Sequence, residues 1–244
     1  MIEKSENMIN EIIQAVQNVK SETPLVTCIT NAVTINDCAN VILAIGASPA
    51  MTDYKEDVGE LVKISNALVV NFGMLGDEKI EGIRASCKVA KESKVPIVVD
   101  PVAVGITENR NKLILELIEN YEIAAIRGNM SEIKAIANLL KIEEMKNVTS
   151  NSAKGVDACK NDIVSEENLD ENSNIVKGLA KKTKTIIIII IIIIIIIIII
   201  IIASGPIDII FNKEQSYVIQ NGNLMTAKIR GSGQCCQVDF FIFR

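Results

Sequence analysis

The sequence predicts an α/β fold: a layered, mostly parallel sheet with helices on both faces and antiparallel edge strands near the C-terminus. Three observations carry this. Near-continuous apolar runs, ALVVNFG at 67–73, PIVVD at 96–100 and IAAIRG at 123–128, have the composition of strands buried on both faces of a parallel sheet. Segments with apolar residues at helical spacing separate them, and such strand–helix alternation implies layers joined by right-handed crossovers. After residue 205 the rhythm changes. IDIIF, SYVIQ and LMTAKI are short runs joined by turn residues such as Asn221-Gly222, the pattern of antiparallel strands.

Element by element, Met8, Ile9, Ile12, Ile13 and Val16 recur at helical spacing and predict an amphipathic opening helix over 5–19. Pro24 starts a strand, LVTCIT, that runs into Asn31. A helix follows from Thr34 to Ile45 and is stopped by Gly46. SPAM at 48–51 reads as a short extended piece. Helices are expected near 56–65, 77–93, 110–120 and 131–141, each placed between the apolar strands. An irregular polar region at 145–173 precedes a helix reaching about residue 182. The loop Gly231-Ser232-Gly233 then introduces a last helix, whose free N–H groups suit an anion.

Composition excludes several functions. The net charge of -5, with acidic and basic residues interspersed, leaves no basic face for nucleic acid. The chain has no histidine and its six cysteines lack CxxC spacing, so neither a zinc site nor a histidine-based triad can be assembled. The opening residues carry charges among the apolar positions and no signal-peptide core, so reduced thiols in a cytoplasmic setting are expected.

Ile186 to Ile202 is an unbroken isoleucine run. Its length and hydropathy meet the requirement for a bilayer span, yet both flanks read as soluble domain. The run is therefore taken as an expansion or artefact over a normal core strand, with a strong aggregation tendency.

Two carboxylates stand where parallel sheets present ligands, at the carboxyl ends of strands. Asp100 closes VPIVVD, and Glu132 ends AAIRGNMSE beside Arg127 and Asn129. Mg²⁺ takes one or two such carboxylates together with a substrate's phosphates, and Arg is the matching phosphate partner. The competing reading is an Asp in a turn before Pro101 and a Glu that favours the dipole of a helix start. The sequence by itself leaves both readings open. The GSG loop is not a Walker loop, because GxxxxGK is absent.

Five motifs in order, PLV with ITN at 24–31, GASPAM at 46–51, VVDPVAVG at 98–105, AAIRGNMSEI at 124–133 and KGVDA at 154–158, closely resemble the hydroxyethylthiazole kinase family. The similarity resumes at GPIDII and at 221–233. The resemblance implies one ribokinase-like domain over 1–244, a homotrimer with sites between subunits, and ATP-dependent, Mg²⁺-assisted phosphorylation of a thiazole alcohol in thiamine salvage. Carried onto this sequence, Met51 lines the thiazole pocket with Asn31 beside it, Arg127 and Ser204 contact ATP, Asp100 and Glu132 organise the metal and phosphates, and Gly231 begins the anion-binding loop. Cys235 is the counterpart of the family's thiol, one step late, because Gln234 occupies the place directly after the loop. That step turns a helical side chain by about 100°. Arg230 replaces a small or apolar residue, and the family's C-terminal helices are expected to be missing. The alternatives are a non-catalytic derivative, favoured by these departures, and a hydroxymethylpyrimidine-type kinase, against which GASPAM and AIRGN argue.

Overall fold

The computed structural model describes residues 2–145, 165–190, 200–204, 208–211 and 216–219. The described chain forms two compact units, one of residues 2–70 and 74–95, the other of 71–73 and the residues from 96 onward.

The first unit holds α1 (Ile2–Glu22), β1 (Leu25–Ile29), α2 (Ile35–Ala44), β2 (Ser48–Met51), α3 (Lys55–Lys63), most of β3 (Ala67–Asn71) and α4 (Asp77–Ser93). β1 is central and parallel to both neighbours, with Cys28 opposite Met51 of β2 and Val69 of β3. β3 is buried along its whole length, as its uncharged, β-branched composition requires. α2 ends as expected near Gly46, whose φ of 101° is left-handed and whose added Cβ would lie 2.9 Å from Lys20 Cγ. α4 opens with Asp77 and Glu78, which suit the positive end of a helix.

The second unit contains β4 (Ile97–Asp100), α5 (Glu108–Asn120), β5 (Ile123–Asn129), α6 (Met130–Leu139), a 3₁₀ turn at Glu143–Met145, α7 (Leu169–Ile190), β6 (Ile200–Ser204), β7 (Asp208–Phe211) and β8 (Ser216–Ile219). β4, β5 and β6 are parallel, and β6–β7 and β7–β8 are antiparallel, so the change of rhythm after residue 205 is a change of strand direction. Ile97, Ile114, Leu117, Ile118, Ile123, Ile126 and Met130 are among its largest fully buried side chains. They come from β4, which ends at Asp100, from β5, and from α5 and the start of α6, the helix that carries Glu132.

Two elements differ from the sequence expectation. α7 starts at Leu169, inside the polar region read as irregular, and continues through Ile190 into the isoleucine run. Among the described residues of that run, Ile200–Ile202 belong to β6. No proline interrupts Leu169–Ile190, a single glycine, Gly178, is tolerated, and isoleucine propagates a helix at modest cost once it is nucleated. LMTAKI, KGVDA, the GSG loop and the helix expected after it lie outside the described residues.

Gly82 shows how closely α4 approaches the loop after β2, because a Cβ there would run into the Asp53 carbonyl. Gly→Ala in an exposed helix normally stabilises by about 1 kcal/mol. G82A should instead destabilise by roughly 1–3 kcal/mol, as overpacking does. Urea unfolding of the two proteins measures this, and a variant as stable as the parent would refute the close approach.

Candidate active site

The register of the parallel strands builds the centre of the site. Val99 of β4 lies opposite Ile126 of β5, which sets Asp100 beside Arg127 at the strand ends. The Asp100 side chain is 3% exposed, and its Oδ2 lies 3.8 Å from Arg127 Nη1. Arg127 is 15% exposed, so its guanidinium sits at the margin of the protein interior. Asn71, at the end of β3, donates from Nδ2 to the same Asp100 oxygen at 2.8 Å. Its own Oδ1 accepts from the Gly73 N–H at 2.8 Å, so the amide is held from both ends.

Glu132 lies in the first turn of α6 and is 5% exposed. It takes part in a capping box: the Asn129 side chain accepts from the Glu132 N–H at 3.0 Å, and Glu132 Oε2 accepts from the Asn129 N–H at 2.9 Å. Its Oε1 accepts from the Ala103 N–H at 2.9 Å, in the loop after β4. One carboxylate therefore caps α6 and ties down the loop that follows Asp100. Gly128 makes room for it, since a Cβ at that position would lie 2.9 Å from Glu132 Oε2.

Burial first, and then the nearby Asp100 charge, push the Glu132 carboxyl up to about 8. The N–H groups of Ala103 and Asn129 and the charge of Arg127 act in the opposite direction. The two buried acids repel each other, and a cation or proton between them would relieve that repulsion.

Ser204 ends β6 opposite Asn129 of β5, so it belongs to the same row of strand ends as Arg127. In the first unit, Asn31 is buried just past β1, where its Oδ1 accepts from the Val33 N–H at 3.0 Å and the Thr34 hydroxyl at 3.3 Å. Met51 is the half-buried last residue of β2. Gly231, Cys235, Gln234 and Arg230 lie outside the described residues. Sequence reasoning overlooked Asn71, Arg110 and the backbone of the loop after β4. Asn71 and Arg110 are ordinary in composition, and only the approach of the strand ends makes them neighbours of the acids.

Solved structures with this fold include a ribokinase-like superfamily protein from Enterococcus faecalis, with TM-score 0.54, 10% identity and coverage of 91% of this chain and 72% of that one. A hydroxyethylthiazole kinase protein from Pyrococcus horikoshii matches with TM-score 0.75 and 24% identity, over 95% of this chain and 75% of that one. These matches define the fold as ribokinase-like α/β, in which the acids and the arginine stand at the ends of parallel strands, where such sheets take their ligands. The sequence is closer still to one branch: the profile of the hydroxyethylthiazole kinase family matches residues 16–239. Proteins named hydroxyethylthiazole kinase from Methanobrevibacter smithii and Clostridium acetobutylicum are 46% and 39% identical. The first match covers 93% of this chain and 73% of its relative, the second 90% and 72%. This chain belongs to the hydroxyethylthiazole kinase family, whose members are phosphotransferases with an alcohol acceptor.

The raised Glu132 has a consequence for stability. The unfolded chain releases this proton near the ordinary carboxyl value and the folded chain only near 8, so between those values the folded state binds more protons. Its contribution is complete at acid pH and is lost as pH rises toward 8. E132Q should remove that slope. Urea unfolding at a series of pH values reads it, and identical slopes in the two proteins would contradict the burial of the acid.

Proposed function

We propose that this protein phosphorylates the hydroxyl of 4-methyl-5-(2-hydroxyethyl)thiazole with ATP, in thiamine biosynthesis or salvage. The observation that carries the reading is the Asp100–Arg127 pair beside capped Glu132 at the ends of β4 and β5, in a chain whose family match spans most of its length. The match over 16–239 also supports reading both compact units as parts of one kinase domain.

Phosphoryl transfer needs positioning and charge neutralisation more than covalent chemistry. Arg127 offers planar donors to ATP phosphates, and its 3.8 Å spacing from Asp100 leaves the guanidinium able to exchange partners. Asn71 holds one oxygen of Asp100 and so orients the carboxylate. Glu132 has both oxygens engaged by N–H groups, each with a remaining lone pair. The mutual repulsion of these buried acids fits a divalent cation, and Asp100 with Glu132 would hold Mg²⁺ directly or through its waters. When bound, Mg²⁺ would neutralise phosphate charge.

Ser204 is assigned to ATP, and Met51 with Asn31 to the thiazole alcohol. Gly231 is assigned to the anion loop and Cys235 to the position near the reacting hydroxyl. These roles rest on the resemblance, as does the homotrimer. Among the described residues no helix is long and apolar enough to cross a membrane.

Incubation of the purified chain with the thiazole alcohol and Mg·ATP, followed by detection of the thiazole phosphate, tests the activity. Absence of turnover together with retained ATP and alcohol binding would favour a non-catalytic derivative. Arg127→Ala should weaken ATP by about 10- to 100-fold, the range expected for a lost charge-assisted hydrogen bond. Affinity for the alcohol should stay within about twofold. Calorimetric titration that finds ATP affinity unchanged would reject the role of Arg127.

A further inference from the structure

The loop after β4 contains a non-glycine residue in a left-handed conformation, Ala103 with φ 62°. That conformation is unfavourable for an L-residue, so surrounding interactions must hold it. The peptide group joining Val102 to Ala103 is held from both sides. Its carbonyl accepts from Arg110 Nη1 at 2.8 Å, and its N–H donates to Glu132 Oε1 at 2.9 Å.

The same Arg110 nitrogen also donates to the Phe72 carbonyl. Phe72 in turn donates its N–H to the Asp100 carbonyl at 2.9 Å. Arg110, from the first turn of α5, thereby joins the loop after β3 to the loop after β4. It reaches the backbone of one acid through Phe72 and the carboxylate of the other through a single peptide group. An amide whose carbonyl accepts from a cation becomes a better N–H donor, because chained hydrogen bonds polarise one another.

We infer that Arg110 is a positioning residue for the phosphoryl-transfer site, aiming the Glu132 carboxylate through the Val102–Ala103 peptide and bracing the Asp100 strand end through Phe72. The inference rests on the kinase reading above and adds a residue outside the nucleotide, alcohol and metal assignments. A merely structural staple would affect folding and leave the chemistry alone. A positioning residue changes turnover at constant alcohol affinity.

The test compares the full-length parent with R110M, R110K and R110Q. R110M keeps an apolar stem and loses every donor, and it should lower kcat by about 10- to 100-fold, the usual range for outer residues that orient ligating groups. KM for the thiazole alcohol should stay within about twofold, and R110K, whose ammonium has donors for both carbonyls, should recover at least part of kcat. A kcat within twofold of the parent in R110M, or no recovery in R110K, overturns the inference. If R110M fails to fold, R110Q takes its place, with a loss of kcat expected and full turnover overturning the inference. If the parent itself does not phosphorylate the alcohol, the kinase reading fails, and Arg110 is judged by amide hydrogen exchange. Loss of its donors should speed exchange at Ala103 by about tenfold or more while the Ile126 amide is unaffected, and unchanged Ala103 protection overturns the inference.

Discussion

Two carboxylates buried side by side are the constraint around which the second unit is organised. Asp100 and Glu132 are 2% and 5% exposed, and leaving either acid without partners would be costly. The fold answers with a different set for each. Asp100 has the Asn71 amide and, further off, the Arg127 guanidinium. Glu132 has two backbone N–H groups. The result is an acid pair that is satisfied in hydrogen bonds yet still repelled in charge, which is a good state from which to receive a cation with phosphate attached.

That arrangement explains several local choices in the sequence. Gly128 stands between Arg127 and Asn129 because the Glu132 side chain folds back over it. Asn129 ends β5 and caps α6 at once, so strand and helix meet without a connecting loop and the strand end is fixed by the helix start. Asn71 uses both ends of its amide, one on Gly73 and one on Asp100, a task for which a carboxylate would add a third negative charge. The strained backbone at Ala103 sits where the carboxylate and Arg110 meet, and strain of this kind persists only where surroundings over-determine it.

The two competing sequence readings of Glu132 turn out to be compatible. Its carboxylate caps a helix, as the bland reading requires, and the same contacts hold it beside Asp100, as the chemical reading requires. A capping role alone would work at the surface with a freely solvated acid. Deep burial next to a second acid is what sets this one apart.

Much of the fold was legible in the sequence because buried parallel strands carry a strong, local composition. ALVVN, IVVD and IAAIRGN are strands within a residue or two of their expected limits, and the pairing turns antiparallel after residue 205, where the sequence rhythm changes. The ordered motifs likewise identified the family, since they depend on short stretches of residue type and spacing. Less legible was the isoleucine run, whose first residues continue α7 while its last enter β6. A homopolymer has no periodicity from which helix and strand can be distinguished. The roles of Asn71, Arg110 and the Val102–Ala103 peptide were decided by tertiary structure alone. Each works through a hydrogen bond to a residue of another element, and such a partner exists only once parallel strands align their carboxyl ends.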